Sequence, residues 1–115
     1  MSDWHEVASL EELWEGDVME VAVGPDAILL AHLAGGEVRA WQGVCPHSEY
    51  PLASGDLDGD VLTCAGHLWE FDLRTGKGVN PANCRLLEFP VRVTGDQVSV
   101  SVPADGRPHY NRCRQ

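Results

Sequence analysis

The sequence predicts an all-β domain of many short antiparallel strands, on three observations. Twelve Gly and seven Pro are spread through 115 residues, and turn formers at that density leave room for strands but not for long helices. Between them run short Val- and Leu-rich stretches that alternate apolar with polar, the period of a half-buried strand. With 43% hydrophobic residues, a chain of this length makes one globular domain with one modest core.

Residues 4–8 read as a first strand. Ser9 with Glu12 three later is a capping box and Gly16 a stop, which predicts one or two helical turns over 9–16 with a solvated acidic face. Residues 18–23 alternate as a strand, Gly24-Pro25-Asp26 turns the chain into another over 27–33, and Gly35-Gly36 closes a hairpin into 37–41. The cluster Gly55-Asp56-Leu57-Asp58-Gly59-Asp60 has a calcium-like composition. It lacks the length and closing Glu of an EF-hand, so it reads as a plain acidic turn. Strands follow over 61–63 and 68–73, the second ended by a Gly-rich turn, Arg74 to Gly78, without the pattern of a phosphate loop. Asn80-Pro81-Ala82-Asn83 is a further loop, and residues 86–94 and 97–102 form a terminal hairpin around Gly95-Asp96. One domain over 1–102 and a loose C-terminal tail over 103–115 are expected.

The formal net charge is −10, with 17 of 18 acids but only five of eight bases within residues 1–102. Such a body repels polyphosphate, which argues against nucleic acid and for a protein partner with a basic docking face. No apolar run is long enough to span a bilayer, and the first residues carry acid rather than a basic n-region and an apolar stretch. A cytoplasmic protein with no membrane partner is expected.

The chemistry concentrates in two short motifs. Cys45-Pro46-His47 is followed, after sixteen intervening residues, by Cys64-Ala65-Gly66-His67. Two thiolates and two imidazoles suit iron or zinc. A zinc finger of the Cys2His2 type puts its cysteines together and its histidines on a following helix. Here each loop offers one of each. In a Rieske-type 2Fe-2S centre one iron is held by two Cys and the other by two His, so each of two facing loops can give one ligand to each iron. The spacing favours that centre, with Cys45, His47, Cys64 and His67 as ligands. A zinc-stabilised interaction module is the alternative of a different class. Of the other cysteines, Cys84 reads as an ordinary half-buried thiol and Cys113 as an exposed one, in a compartment where free thiols persist. No Ser-His-Asp set, carboxylate pair or substrate-pocket motif is evident.

Beyond the ligands, His67-Leu68-Trp69, Phe71, Thr75-Gly76, Gly78, Asn80-Pro81, Cys84 and Pro90-Val91 stand at positions that are similar to a known family. The chain resembles the Rieske ferredoxin components of multicomponent toluene and related aromatic or alkene monooxygenases, over about residues 4–102. The resemblance implies an antiparallel β-sandwich with a small cluster-binding subdomain, about residues 43–84, in which two ligand loops and a third containing Pro81 cover one 2Fe-2S cluster. It implies a monomeric electron carrier rather than an enzyme, which takes single electrons from a flavin-containing NADH-dependent reductase and gives them to a diiron hydroxylase. Ferredoxins of ring-hydroxylating dioxygenases, and the small subunit of nitrite-reductase-type systems, share the ligands and stay open as alternatives. The Arg-bearing tail with Cys113 does not match the family pattern.

Replacing two thiolates by neutral imidazoles makes a Rieske iron easier to reduce, with potentials of about −150 to +300 mV. Hydrogen bonds to the sulfurs then decide the value. Tyr50, Gly66, Leu68 and Trp69 stand where high-potential relatives place hydroxyl donors and a cysteine pair, so the low end is expected. His47 and His67, each with a second nitrogen directed outward, are candidate exits for the electron; burial within the chain is the contrary reading. Trp69 is either a docking residue or core packing.

Overall fold

The computed structural model describes residues 2–46, 50–65, 69–80, 84–103, 106–107 and 109–112. Within them run strands β1 (Ser2–Ser9), β2 (Val18–Val23), β3 (Asp26–His32) and β4 (Val38–Gln42), then a single 3-10 turn (Leu52–Ser54). Next come β5 (Asp56–Asp58), β6 (Val61–Thr63), β7 (Glu70–Asp72), β8 (Gly78–Asn80), β9 (Glu88–Phe89), β10 (Val91–Thr94) and β11 (Gln97–Pro103). They form three antiparallel sheets, ordered β1-β11-β10, β2-β3-β4-β9 and β5-β6-β7-β8.

The β2-β3-β4-β9 sheet is the middle layer. Successive strand side chains point to opposite faces, and in β3 both faces are covered. Ile28 and Leu30 enter a core with Phe89, Val98 and Val100. Leu29 and Ala31 enter a second core with Leu62, Phe71 and Leu73. The unbroken apolar run Ile28-Leu29-Leu30-Ala31 is what a strand buried on both sides requires. In β4, Ala40 joins the first core and Trp41 the second. The β5-β8 sheet is covered on one face only. Leu57, Leu62 and Phe71 stand in register toward the core, while Asp56, Thr63 and Glu70 stand in register on the other face.

The all-β expectation and most strand positions hold, and four differences are instructive. The capping box over 9–16 forms, with the Ser9 amide donating to Glu12 Oε1 at 3.2 Å and the Glu11 amide to Ser9 Oγ at 3.1 Å, but the chain makes turns and no helix. The Gly16 amide donates to the His32 carbonyl at 2.6 Å, and Leu13 is fully buried, so sheet pairing and core contact overrule a weak local preference. The expected acidic turn at 55–60 is mostly strand: Asp56-Leu57-Asp58 alternates, pairs with β6, and leaves the turn to Gly59 and Asp60. Gly78–Asn80, expected as turn and loop, is β8, paired with β7. The long strand expected over 86–94 breaks at Pro90, which has no N–H for a ladder. On either side of it β9 pairs with β4 and β10 with β11, so the chain changes sheets there.

The tail is not loose where it is described. At 109–111 it hydrogen-bonds to Asp26 and Gln42 of the body. Among the described residues no helix is long and apolar enough to cross a membrane.

Candidate metal centre

β4 delivers the chain to the first loop past a tight crossing. The Gly43 amide donates to the Ala27 carbonyl at 2.8 Å, and a Cβ on Gly43 would lie 2.7 Å from the Ala27 carbonyl carbon. Only glycine fits. Val44 then bridges Pro51, and the Cys45 amide donates to the Tyr50 carbonyl at 2.8 Å. The second loop starts where β6 ends, and the Cys64 amide donates to the Trp69 carbonyl at 2.7 Å. Each loop is thus closed by a cysteine N–H on the carbonyl five residues ahead, and each closed frame contains one of the two histidines in sequence. His47 and His67 lie outside the described residues, as does Pro81 of the third loop.

Cys45 and Cys64 are buried and outside any disulfide, in one core with Trp41, Leu52, Leu62 and Trp69. Two thiolates in such a core would be costly unless a cation neutralised them. A dication bound by both sulfurs does so. The donor set and the matched loops therefore fit a 2Fe-2S core. Among the described residues no group of three or more His, Cys, Asp or Glu could hold a metal.

Cys84 departs from the expected half-buried free thiol: it is buried and disulfide-bonded. Its carbonyl accepts from the Gly78 amide at 2.7 Å, which closes the base of the third loop. Cys113 lies outside the described residues. Trp69 is only 7% exposed and packs on Phe71, ring centroids 6.4 Å apart. That burial favours packing over docking, because the indole presents little face to a partner. Among the described residues, Tyr50, at 40%, and Val79, at 50%, are the exposed apolar side chains beside the loops. Val79 falls between the expected turn ending at Gly78 and the expected loop starting at Asn80, so a strand there was not foreseen.

Near the starts of β4 and β6, two arginines organise the charge. Arg74 grips Asp60 through Nε at 2.7 Å and a second nitrogen at 3.1 Å, and donates to the Ala34 carbonyl at 2.9 Å. Arg39 joins Glu37 at 2.6 Å and Glu88 at 2.8 Å. The hydrogen bond from Arg39 holds the Glu37 carboxyl below its ordinary range, and that from Arg74 does the same for Asp60. Both guanidiniums are correspondingly raised. Arg74 in this way ties the hairpin before β4 to the β5-β6 turn.

Comparison with known proteins agrees with this geometry. The family model of the Rieske [2Fe-2S] domain matches residues 3–90. The ferredoxin component of the alkene monooxygenase system of Xanthobacter autotrophicus is 35% identical over 108 residues, covering 90% of this chain and 88% of that protein. The ferredoxin component of biphenyl 2,3-dioxygenase of Rhodococcus jostii is 36% identical over 97 residues, covering 84% and 90%. Among solved structures, a chain of the complex of reduced oxygenase and oxidized ferredoxin in carbazole 1,9a-dioxygenase superposes with a TM-score of 0.77 at 26% identity, covering 97% of both chains. With the paired cysteine loops, these matches identify the chain as a member of the Rieske [2Fe-2S] domain family, an electron-transfer ferredoxin with one 2Fe-2S cluster.

Proposed function

We propose that Cys45 and Cys64 hold one iron and His47 and His67 the other, and that the protein shuttles single electrons from a flavin-containing NADH-dependent reductase to the diiron hydroxylase of an alkene or aromatic monooxygenase system. The observation that carries the ligand assignment is the matched closure of the two loops on Tyr50 and Trp69, which frames one Cys and one His in each. The monooxygenase assignment is supported by the 35% identity with the alkene monooxygenase ferredoxin, extending over 90% of this chain.

The cluster accepts and releases one electron, and the chain's own residues set where that happens. The buried cysteines leave the side of His47 and His67 as the proposed exit toward a partner. Tyr50 and Val79 would border the contact. The acidic body and the row Asp56-Glu70 on the open sheet face suit basic docking surfaces, which speed encounter more than they tighten binding. A monomer visiting two partners in turn fits this role.

A dioxygenase ferredoxin is the second reading, favoured by the 36% identity with the biphenyl 2,3-dioxygenase component. Two measurements decide. EPR of the dithionite-reduced protein should show the anisotropic, low-average-g signal of a Rieske centre, whereas a colourless zinc protein would end the carrier proposal. Reconstitution with a reductase should then support turnover by a diiron hydroxylase. Turnover with a Rieske dioxygenase, or a nitrite-reductase-type enzyme, in its place would select an alternative partner.

A further inference from the structure

We infer that the backbone of residues 109–111 is a strap that positions the first ligand loop, acting through Gln42. Gln42 is fully buried at the end of β4, three residues before Cys45. Its Nε2 donates to the Val44 carbonyl at 2.8 Å and to the Asn111 carbonyl at 3.1 Å. Its Oε1 accepts from the Leu87 amide at 2.8 Å and from the Asn111 amide at 2.9 Å. A carboxamide has two N–H donors and two acceptor lone pairs, so all four positions are used. Half of them go to the backbone of Asn111.

The contact with Val44 gives this carboxamide its reach. The peptide plane joining Val44 to Cys45 is held on one side by Gln42 Nε2 on the Val44 carbonyl, and on the other by the Cys45 N–H on the Tyr50 carbonyl. That second bond is the one that closes the loop. A Gln42 side chain without Asn111 could rotate or take up water, and the Val44 carbonyl would lose a fixed donor. Sequence distance hides the link: Asn111 is 69 residues from Gln42 along the chain.

The strap has a second fastening. Asp26 is buried, and its Oδ1 accepts the His109 amide at 2.5 Å while Oδ2 lies 2.8 Å from His109 Nδ1. Asp26 precedes Ala27, whose carbonyl takes the Gly43 amide. The two anchors therefore flank Gly43, where the loop begins. A buried carboxylate is tolerated only with such partners, which gives the interaction a physical reason to persist.

These hydrogen bonds define the strap; its consequence for the cluster rests on the ligand assignment above. The test is amide hydrogen exchange of the holoprotein, read by mass spectrometry, with iron release to a chelator as a second readout. Asn111→Pro removes the N–H that meets Gln42 Oε1 and should speed exchange around Val44 and Cys45 by about tenfold, while β2 and β3 stay as in the wild type. Asn111→Ala keeps the backbone bonds and should leave that exchange unchanged. Iron release should quicken only in the proline variant. Equal acceleration in every segment, or none near Val44, would overturn the inference. Should the proline variant not fold, the wild type decides: an Asn111 amide exchanging at the rate of free chain would mean there is no strap. If Cys45→Ser kept its iron, the ligand assignment would fail while the exchange result stood.

Discussion

The indole of Trp41 lies over Gly76 so closely that a Cβ on Gly76 would be 2.5 Å from Cζ3 and 2.8 Å from Cη2. The same indole donates from Nε1 to the Leu73 carbonyl at 2.9 Å, in a buried bond. Trp41 belongs to the middle sheet and Gly76 to the turn between β7 and β8, so this contact joins the scaffold to the ligand-bearing sheet. Gly76 also has φ +80°, which side chains with a Cβ rarely adopt.

Gly76→Ala therefore combines strain with overlap and should cost about 2–4 kcal/mol in denaturant unfolding. Gly59→Ala is the control. Gly59 also has positive φ, but nothing lies within 4 Å of a Cβ there, so only the backbone strain of about 1–2 kcal/mol applies. Equal losses for the two variants would show that the Trp41 contact contributes nothing.

Cys45→Ser and Cys64→Ser should each abolish the visible absorbance and bound iron, measured by colorimetric iron and sulfide assay of the purified protein. Cys84→Ser should retain both, because that sulfur is engaged in a disulfide. Loss of the cross-link should nonetheless lower stability by about 2–4 kcal/mol.

Acid should weaken the Arg74 bracket with a definite sign. The folded-state carboxyls of Glu37 and Asp60 are lowered from ordinary values of 4.5 and 3.8. Their contribution is thus fully present above those values and is lost as pH falls through the lowered folded ones. The melting temperatures of wild type and Asp60→Asn should differ at neutral pH and converge only as the pH falls below the ordinary Asp value of 3.8. Because the pair is half-exposed, the gap should be modest and shrink in high salt. A gap that widens in acid would refute the assignment.

The midpoint potential should lie toward the low end of the Rieske range of about −150 to +300 mV. Protein-film voltammetry gives the value directly. A midpoint near the top would mean that donors to the cluster sulfurs exist beyond those read from Tyr50, Gly66, Leu68 and Trp69.

How much was legible in the residues depended on the range of the forces involved. Alternation and turn chemistry act over a few positions, so β2, β3, β4 and the hairpin of β10 and β11 could be read directly. The Cys45-His47 and Cys64-His67 motifs, the proposed ligands, were legible because a Cys and a His that share a centre would stand close together within one tight loop, whatever the rest of the chain does. The break at Pro90 was hidden: a proline is visible, but which strand each side of it will pair with is not.

By itself the sequence determined the all-β class and, through the two Cys-His motifs proposed as ligands, pointed to a 2Fe-2S centre, because these follow from neighbours in the chain. Only the tertiary structure decided that Trp69 is buried, that Val79 is exposed, that Trp41 seats on Gly76, and that the backbone of Asn111 completes the bonding of Gln42. Those outcomes depend on which distant segments share one core and on where buried polar groups find partners. No local pattern encodes that.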